Sequence, residues 1–129
     1  MKKNGKATTS LADPSRLEPF DVEASEADDH IIIRVVIETP KGSRNKYDFD
    51  SEQKVFELKT VLPAGMTFPY DFGFIPHTKA EDGDPVDVLV LMDEPAFPGC
   101  VLKCRLIGII EGEQIDKKGK ARNDISIFC

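Results

Sequence analysis

Apolar residues in this chain gather in short runs bounded by turn-forming residues, without the spacing of about three to four that marks an amphipathic helix. Ile31-Ile32-Ile33-Arg34-Val35-Val36-Ile37-Glu38-Thr39 is dense in β-branched side chains, which fit a pleated backbone, and it predicts a strand. Lys46-Tyr47-Asp48-Phe49-Asp50 alternates polar and aromatic residues, which places Lys46, Asp48 and Asp50 on one face. Ser51 to Lys54 reads as a hairpin connection into a further strand, Val55 to Leu62. Phe68 to Pro76 is aromatic but broken by Pro69, Gly73 and Pro76, and predicts an irregular segment packed across a core or a cleft. Val88 to Met92 is short enough for a buried strand, and Pro95 to Gly99 is a turn. From Cys100 to Leu106 the two cysteines and two leucines share one face, and Lys103 and Arg105 take the other. Glu111 to Arg122 is charged and predicts a solvated loop, after which Asn123 begins a last strand.

Together these runs predict about five or six short strands in an all-β sandwich or small barrel. Met1 to Leu17 is polar and unpatterned, which predicts a loose N-terminal arm. Glu18 to His30 is acidic and predicts a loop, and residues 18–129 form a single domain.

The composition narrows the function classes. Lys and Arg total 17 against 23 Asp and Glu, a net charge of -6, which disfavours a nucleic-acid binder in need of a basic face. It leaves room for an anionic substrate, because a bound cation inverts the local field. No apolar run approaches a membrane span, and Met1-Lys2-Lys3 lacks the apolar core of a secretory signal. Cys100, Cys104 and Cys129 form no paired framework, which predicts reduced thiols in a cytoplasmic protein, with Cys100 and Cys104 as small core residues.

The stretch with the most chemistry is Glu81-Asp82-Gly83-Asp84-Pro85-Val86-Asp87. Asp-Gly followed by Pro reads as a turn that feeds the apolar run, so Asp82, Asp84 and Asp87 crowd the entry to a strand. Like charges so close repel unless solvent or a cation intervenes, and carboxylate oxygens are hard ligands suited to Mg²⁺. On the Asp-Gly-Asp-Pro motif alone, an acidic surface turn is the favoured reading. Glu38 reads as the exposed tip of an apolar strand, Lys46 and Asp48 as an exposed pair, and Arg44 as either a phosphate contact or a solvated turn residue. His30 and His77 have no partners at ligand spacing.

With these segments laid out, the region from Ile33 to Phe128 resembles the soluble, Mg²⁺-dependent inorganic pyrophosphatases. The resemblance is carried by Asp82-Gly83-Asp84-Pro85-Val86-Asp87-Val88-Leu89-Val90, by Glu38 through Tyr47, by Phe72-Gly73-Phe74-Ile75-Pro76, and by Leu91 through Cys100. It implies a mainly β fold, a closed or partly open five-stranded barrel of the OB type, that hydrolyses pyrophosphate to two phosphates as a homo-oligomer. It further implies two or more Mg²⁺ ions per site, with Asp82, Asp87, Glu38, Asp48 and Asp124 as ligands. Asp84 is implied as the acceptor of the attacking water's proton, and Lys46, with Arg44, as a phosphate contact.

The departures are as specific as the matches. Phe72 and Phe68 stand where the family places tyrosines, and Thr60, beside Lys59, stands where it places a phosphate-binding arginine. Asp48 replaces a longer Glu, and the partner of Asp124 is Glu113 or Asp116. The helices that follow the last strand in similar proteins are largely missing, as in a shortened chain, which leaves a weak or inactive relative that still binds metal or phosphate as the alternative.

Overall fold

The computed structural model describes residues 13–79, 83–115 and 121–128, with the backbone alone over 110–115 and 121–128. Eight strands lie within them: β1 (Ile32–Thr39), β2 (Asn45–Asp50), β3 (Val55–Val61), β4 (Asp71–Ile75), β5 (Val86–Val90), β6 (Val101–Arg105), β7 (Gly108–Ile115) and β8 (Ala121–Phe128). Six of them form one sheet in the order β6-β1-β4-β5-β8-β7, and β2 with β3 forms a separate hairpin. β5 and β8 run parallel, whereas the other pairs are antiparallel.

The core follows from the register of β1. Ile33 pairs with Cys104, Val35 with Leu102 and Ile37 with Gly73, while Gly73 and Ile75 pair onward with Val88 and Val86. Residues opposed across a ladder point to the same face. Ile33, Val35, Ile37, Ile75, Val88, Val90 and Cys104 therefore meet in one buried cluster, against which Cys100 and Leu102 also pack. Full burial of each large aliphatic side chain stabilises by about 1.5–3 kcal/mol. The alternation expected from Cys100 to Leu106 holds: Cys104 is buried and Lys103 and Arg105 are exposed.

β1 is buried on its other face as well, where Val36 and Phe74 lie opposite each other. The β2–β3 hairpin covers that face. Phe49 stacks on Phe74 with ring centroids 5.5 Å apart, and Phe56 leans on Phe49 at 5.1 Å. The space left between hairpin and sheet is the cleft described below.

Three expectations need correction. The Phe68–Pro76 segment contains β4, a regular strand at the centre of the sheet. Gly73 is no break: a Cβ there would collide with the Val36 carbonyl oxygen, so glycine is what lets β4 approach β1. Next, the charged stretch read as a solvated loop from Glu111 contributes most of β7 and the start of β8, held by their mutual ladder; residues 116–120 lie outside the described residues. Finally, the acidic Glu18–His30 stretch contains a helix, α1 (Val22–Asp28).

Seven residues are too few to show a period, and α1 depends on what surrounds it. Asp21 caps its first turn by accepting from the Ala24 N–H at 3.0 Å, and Asp29 ends it in the left-handed region. Asp21 also meets Lys103 at 2.9 Å and Arg34 at 3.4 Å, and Asp28 meets Arg105 at 3.0 Å. Of the predicted arm, residues 1–12 lie outside the described residues. Asp13 starts a short 3-10 turn, Pro14–Arg16, and lies 3.9 Å from Lys54 on the hairpin.

Candidate active site

A cleft of about 470 Å³ opens between the sheet and the β2–β3 hairpin. Its floor comes from β4 and β5, where Phe74 pairs with Asp87, so both project to the cleft face together with Phe72. Its roof carries Lys46, Asp48, Phe49 and Asp50 from β2, and Glu57, Leu58 and Lys59 from β3. Lys46, Asp48 and Asp50, predicted to share one face, all line the cleft, and Phe49 joins them from between. Glu38 enters from the end of β1, and Asp84 and Pro85 from the turn before β5.

Glu38 is the most perturbed group. It is 8% exposed, and its Oε2 accepts from the Phe49 N–H at 2.8 Å, which corrects the reading of an exposed strand tip. Burial pushes its pKa up to about 7, the Phe49 hydrogen bond opposes this, and the charges of Asp48 and Asp87 push the same way as burial. Lys46 offsets them only in part. At the outer rim, Asp50 accepts from the Gln53 and Glu52 N–H groups at 3.1 and 2.8 Å, which lowers its pKa. The neighbouring Asp50 raises that of Glu57, first through a side-chain hydrogen bond and then through its charge.

Six carboxylates and two lysines therefore line one cleft. A donor set made only of hard oxygens, with negative charge in excess, is the chemistry that suits a divalent cation such as Mg²⁺. Among the described residues, however, no three acids, histidines or cysteines converge closely enough to form a ready metal cage.

Of the residues singled out from the sequence, Glu38, Lys46, Asp48, Asp84 and Asp87 come together here. Asp82 lies outside the described residues. Asp124 pairs through its backbone with Gly112, two residues before Ser126, which pairs with Asp87. Of its two proposed partners, Glu113 pairs with Asn123, and Asp116 lies outside the described residues.

Arg44 is not among the lining residues. Its Nε and Nη2 donate to the Leu62 carbonyl at 3.3 and 3.0 Å, a strut across the open end of the hairpin. Thr60 pairs with Lys46 on β2, and Lys59 lines the cleft beside it. Phe72 presents a ring without a hydroxyl to the cleft, with Phe68 packed on it at 6.1 Å. Neither histidine lines the cleft.

Two acids escaped the sequence reading. Glu57 faces Asp48 through the register that runs unbroken from the Asp50–Val55 pair at the hairpin turn, and the register shifts only beyond them, between Lys46 and Tyr47. Asp71, 1% exposed, accepts from the Lys41 N–H at 2.8 Å and the Ala96 N–H at 3.2 Å, which ties the turn after β1 to the loop after β5.

Comparison with known proteins relates most of the chain to one family. The family model for inorganic pyrophosphatase matches residues 35–124. An inorganic pyrophosphatase of Synechocystis is 54% identical over 80 residues, which cover 62% of this chain and 47% of the relative. Another, from Methanosarcina acetivorans, is 47% identical over 95 residues, or 74% of this chain and 54% of the relative. Among solved structures, the inorganic pyrophosphatase of Thermus thermophilus superposes with a TM-score of 0.72 at 34% identity, covering 91% of this chain and 62% of that one. The chain spans about half the length of the curated relatives it matches. With a mainly β fold shared with such structures and the family model spanning residues 35–124, the chain belongs to the inorganic pyrophosphatase family.

Proposed function

We propose that this chain hydrolyses inorganic pyrophosphate to two phosphates in the acidic cleft, with Mg²⁺ as cofactor. The observation that carries the reading is the gathering of Glu38, Asp48, Asp84 and Asp87 around Lys46 in a member of this family. Asp82, Asp87, Glu38, Asp48 and Asp124 are the residues that would hold two or more ions. When bound, such ions neutralise phosphate oxygens and make a water molecule more acidic. The side chains do the rest. Asp84 accepts the proton of the water that attacks one phosphorus, the bridging P–O bond breaks, and the second phosphate leaves. Lys46 binds a phosphate oxygen and balances charge that builds up as that bond breaks. Arg44 can join it only by giving up the Leu62 carbonyl. The exposed Phe20, Val22, Ile31 and Ile107 support self-association as a homo-oligomer.

Phosphate release from pyrophosphate, measured with Mg²⁺, with chelator and in Asp84→Asn, tests this. Release that depends on Mg²⁺ and is lost in the variant is the expected result, and equal release by the variant removes the mechanism. A second reading, a relative that binds Mg²⁺ or phosphate without turnover, is favoured by the bare ring of Phe72 in the cleft. Calorimetric binding without phosphate release would establish it.

A further inference from the structure

The loop that carries Asp84 leaves β4 at Ile75 and re-enters the sheet at Val86, and these two residues form the last pair of the β4–β5 ladder. A third side chain stands between them. Thr78 Oγ1 donates to the Ile75 carbonyl at 2.6 Å and accepts from the Val86 N–H at 3.1 Å. His77 takes a left-handed conformation, with φ of 57°, as the chain turns before Thr78.

We infer that Thr78 is a positioning residue for the candidate site: its hydroxyl clasps the neck of the acidic loop and sets where Asp84 and Asp87 stand in the cleft. This rests on the function proposed above. Pro85 has no N–H, so the Val86 N–H is the first donor available as the chain enters β5. Val86 packs against the core, and Asp87, next in sequence, faces the cleft. In a strand a slip of one residue exchanges the two faces, so a bond at Val86 specifies which residue meets the cleft. Asp84 lies just two residues before that bond, beyond the last pair of the β4–β5 ladder. The plain alternative is a hydroxyl that satisfies two backbone groups and does nothing else.

A matched control exists within the chain. Ser25 Oγ donates to the Asp21 carbonyl at 2.6 Å and accepts from the Ile32 N–H at 2.9 Å, the same device beside α1 and away from the cleft. The experiment compares Thr78→Val, Thr78→Ser and Ser25→Ala by pyrophosphate turnover with Mg²⁺, melting temperature, and hydrogen exchange at the Val86 amide. A displacement of about 1 Å at a reacting group costs on the order of 100-fold in rate. Thr78→Val is therefore expected to lower kcat by roughly 10- to 100-fold with KM held within about twofold, and to speed exchange at Val86. Thr78→Ser restores both, and Ser25→Ala lowers the melting temperature while kcat stays at the wild-type value. Should Thr78→Val not fold, Thr78→Cys, whose thiol is a weak donor, is expected to lower kcat and speed exchange to a smaller degree. Wild-type kcat in a folded Thr78 variant with fast Val86 exchange overturns the inference, as does a kcat loss that Ser25→Ala reproduces. Absence of turnover in the wild-type chain defeats the proposed function and the inference with it, whereas turnover that ignores Thr78 defeats the inference alone.

Discussion

Around α1 every acid that touches the sheet meets a cation: Asp21 lies beside Lys103 and Arg34, and Asp28 beside Arg105. In the cleft six carboxylates share two lysines, and one of the six, Glu38, is pushed up to about 7. The same residue types are used in opposite ways. At Asp21 the pKa falls, because the Ala24 N–H and then Lys103 favour the charged form. Such pairs pin a short helix to a sheet. At Glu38, crowded in a half-enclosed space, burial and the charges of Asp48 and Asp87 make ionisation work against the fold, and under the proposed function a cation from solution would offset this. The balance of charge within each cluster separates scaffold from candidate site more clearly than the count of acids does.

The strongest test of this contrast is Asp84→Asn, which is expected to reduce Mg²⁺-dependent phosphate release by at least about 100-fold without a comparable change in melting temperature. Next comes Glu38, and the sign follows from its raised value. A carboxyl that holds its proton more tightly folded than unfolded stabilises the fold below its ordinary value of 4.5, and that contribution is lost as pH rises through about 7. Metal-free protein is therefore expected to lose up to about 3 kcal/mol, relative to Glu38→Gln, as the pH is taken from 5 to 8 in denaturant titrations. Added Mg²⁺ is expected to close the gap.

Asp21 carries the opposite sign. Its lowered value means that it stabilises above the ordinary 3.8 and ceases to do so as pH falls through that value. Asp21→Asn keeps a capping side chain and loses the ion pairs, so its melting temperature is expected to fall below wild type at pH 7 and to converge with it in acid. Arg105→Gln, which removes an exposed pair to Asp28, is expected to cost only about 0.5 kcal/mol, and less in high salt. A larger loss at Arg105 than at Glu38 would break the contrast.

Much of the scaffold was legible because its signals are local. The β-branched run became β1, the alternating segment from Lys46 to Asp50 became β2 and brought Lys46, Asp48 and Asp50 to the cleft, and that from Cys100 placed Cys104 in the core. The misreadings have one cause. Gly73 looks like a breaker until β1 is seen pressing against it, and the charged stretch after Glu111 looks like a loop until β7 and β8 pair. Helix α1 gives no periodic signal, because a cap and distant cations hold it. The approach of β1 to Gly73, the cations beside α1 and the pairing of β8 with β5 each bring in a partner far away in sequence, and local propensity carries no trace of such a partner.

By itself, the order of residues determined that the chain would be mainly β, and that Asp84 and Asp87 would stand at the entry to a buried strand, since side-chain shape and turn chemistry act within a few residues. Only tertiary structure decided that Glu38 would be buried against the Phe49 amide, that Glu57 would face Asp48 across the hairpin and line the cleft, and that Arg44 would lie against Leu62 instead of facing the acids. Burial, register and the company a charge keeps are set by segments that meet only in the folded chain, and the field at each carboxyl is the sum of what meets it there.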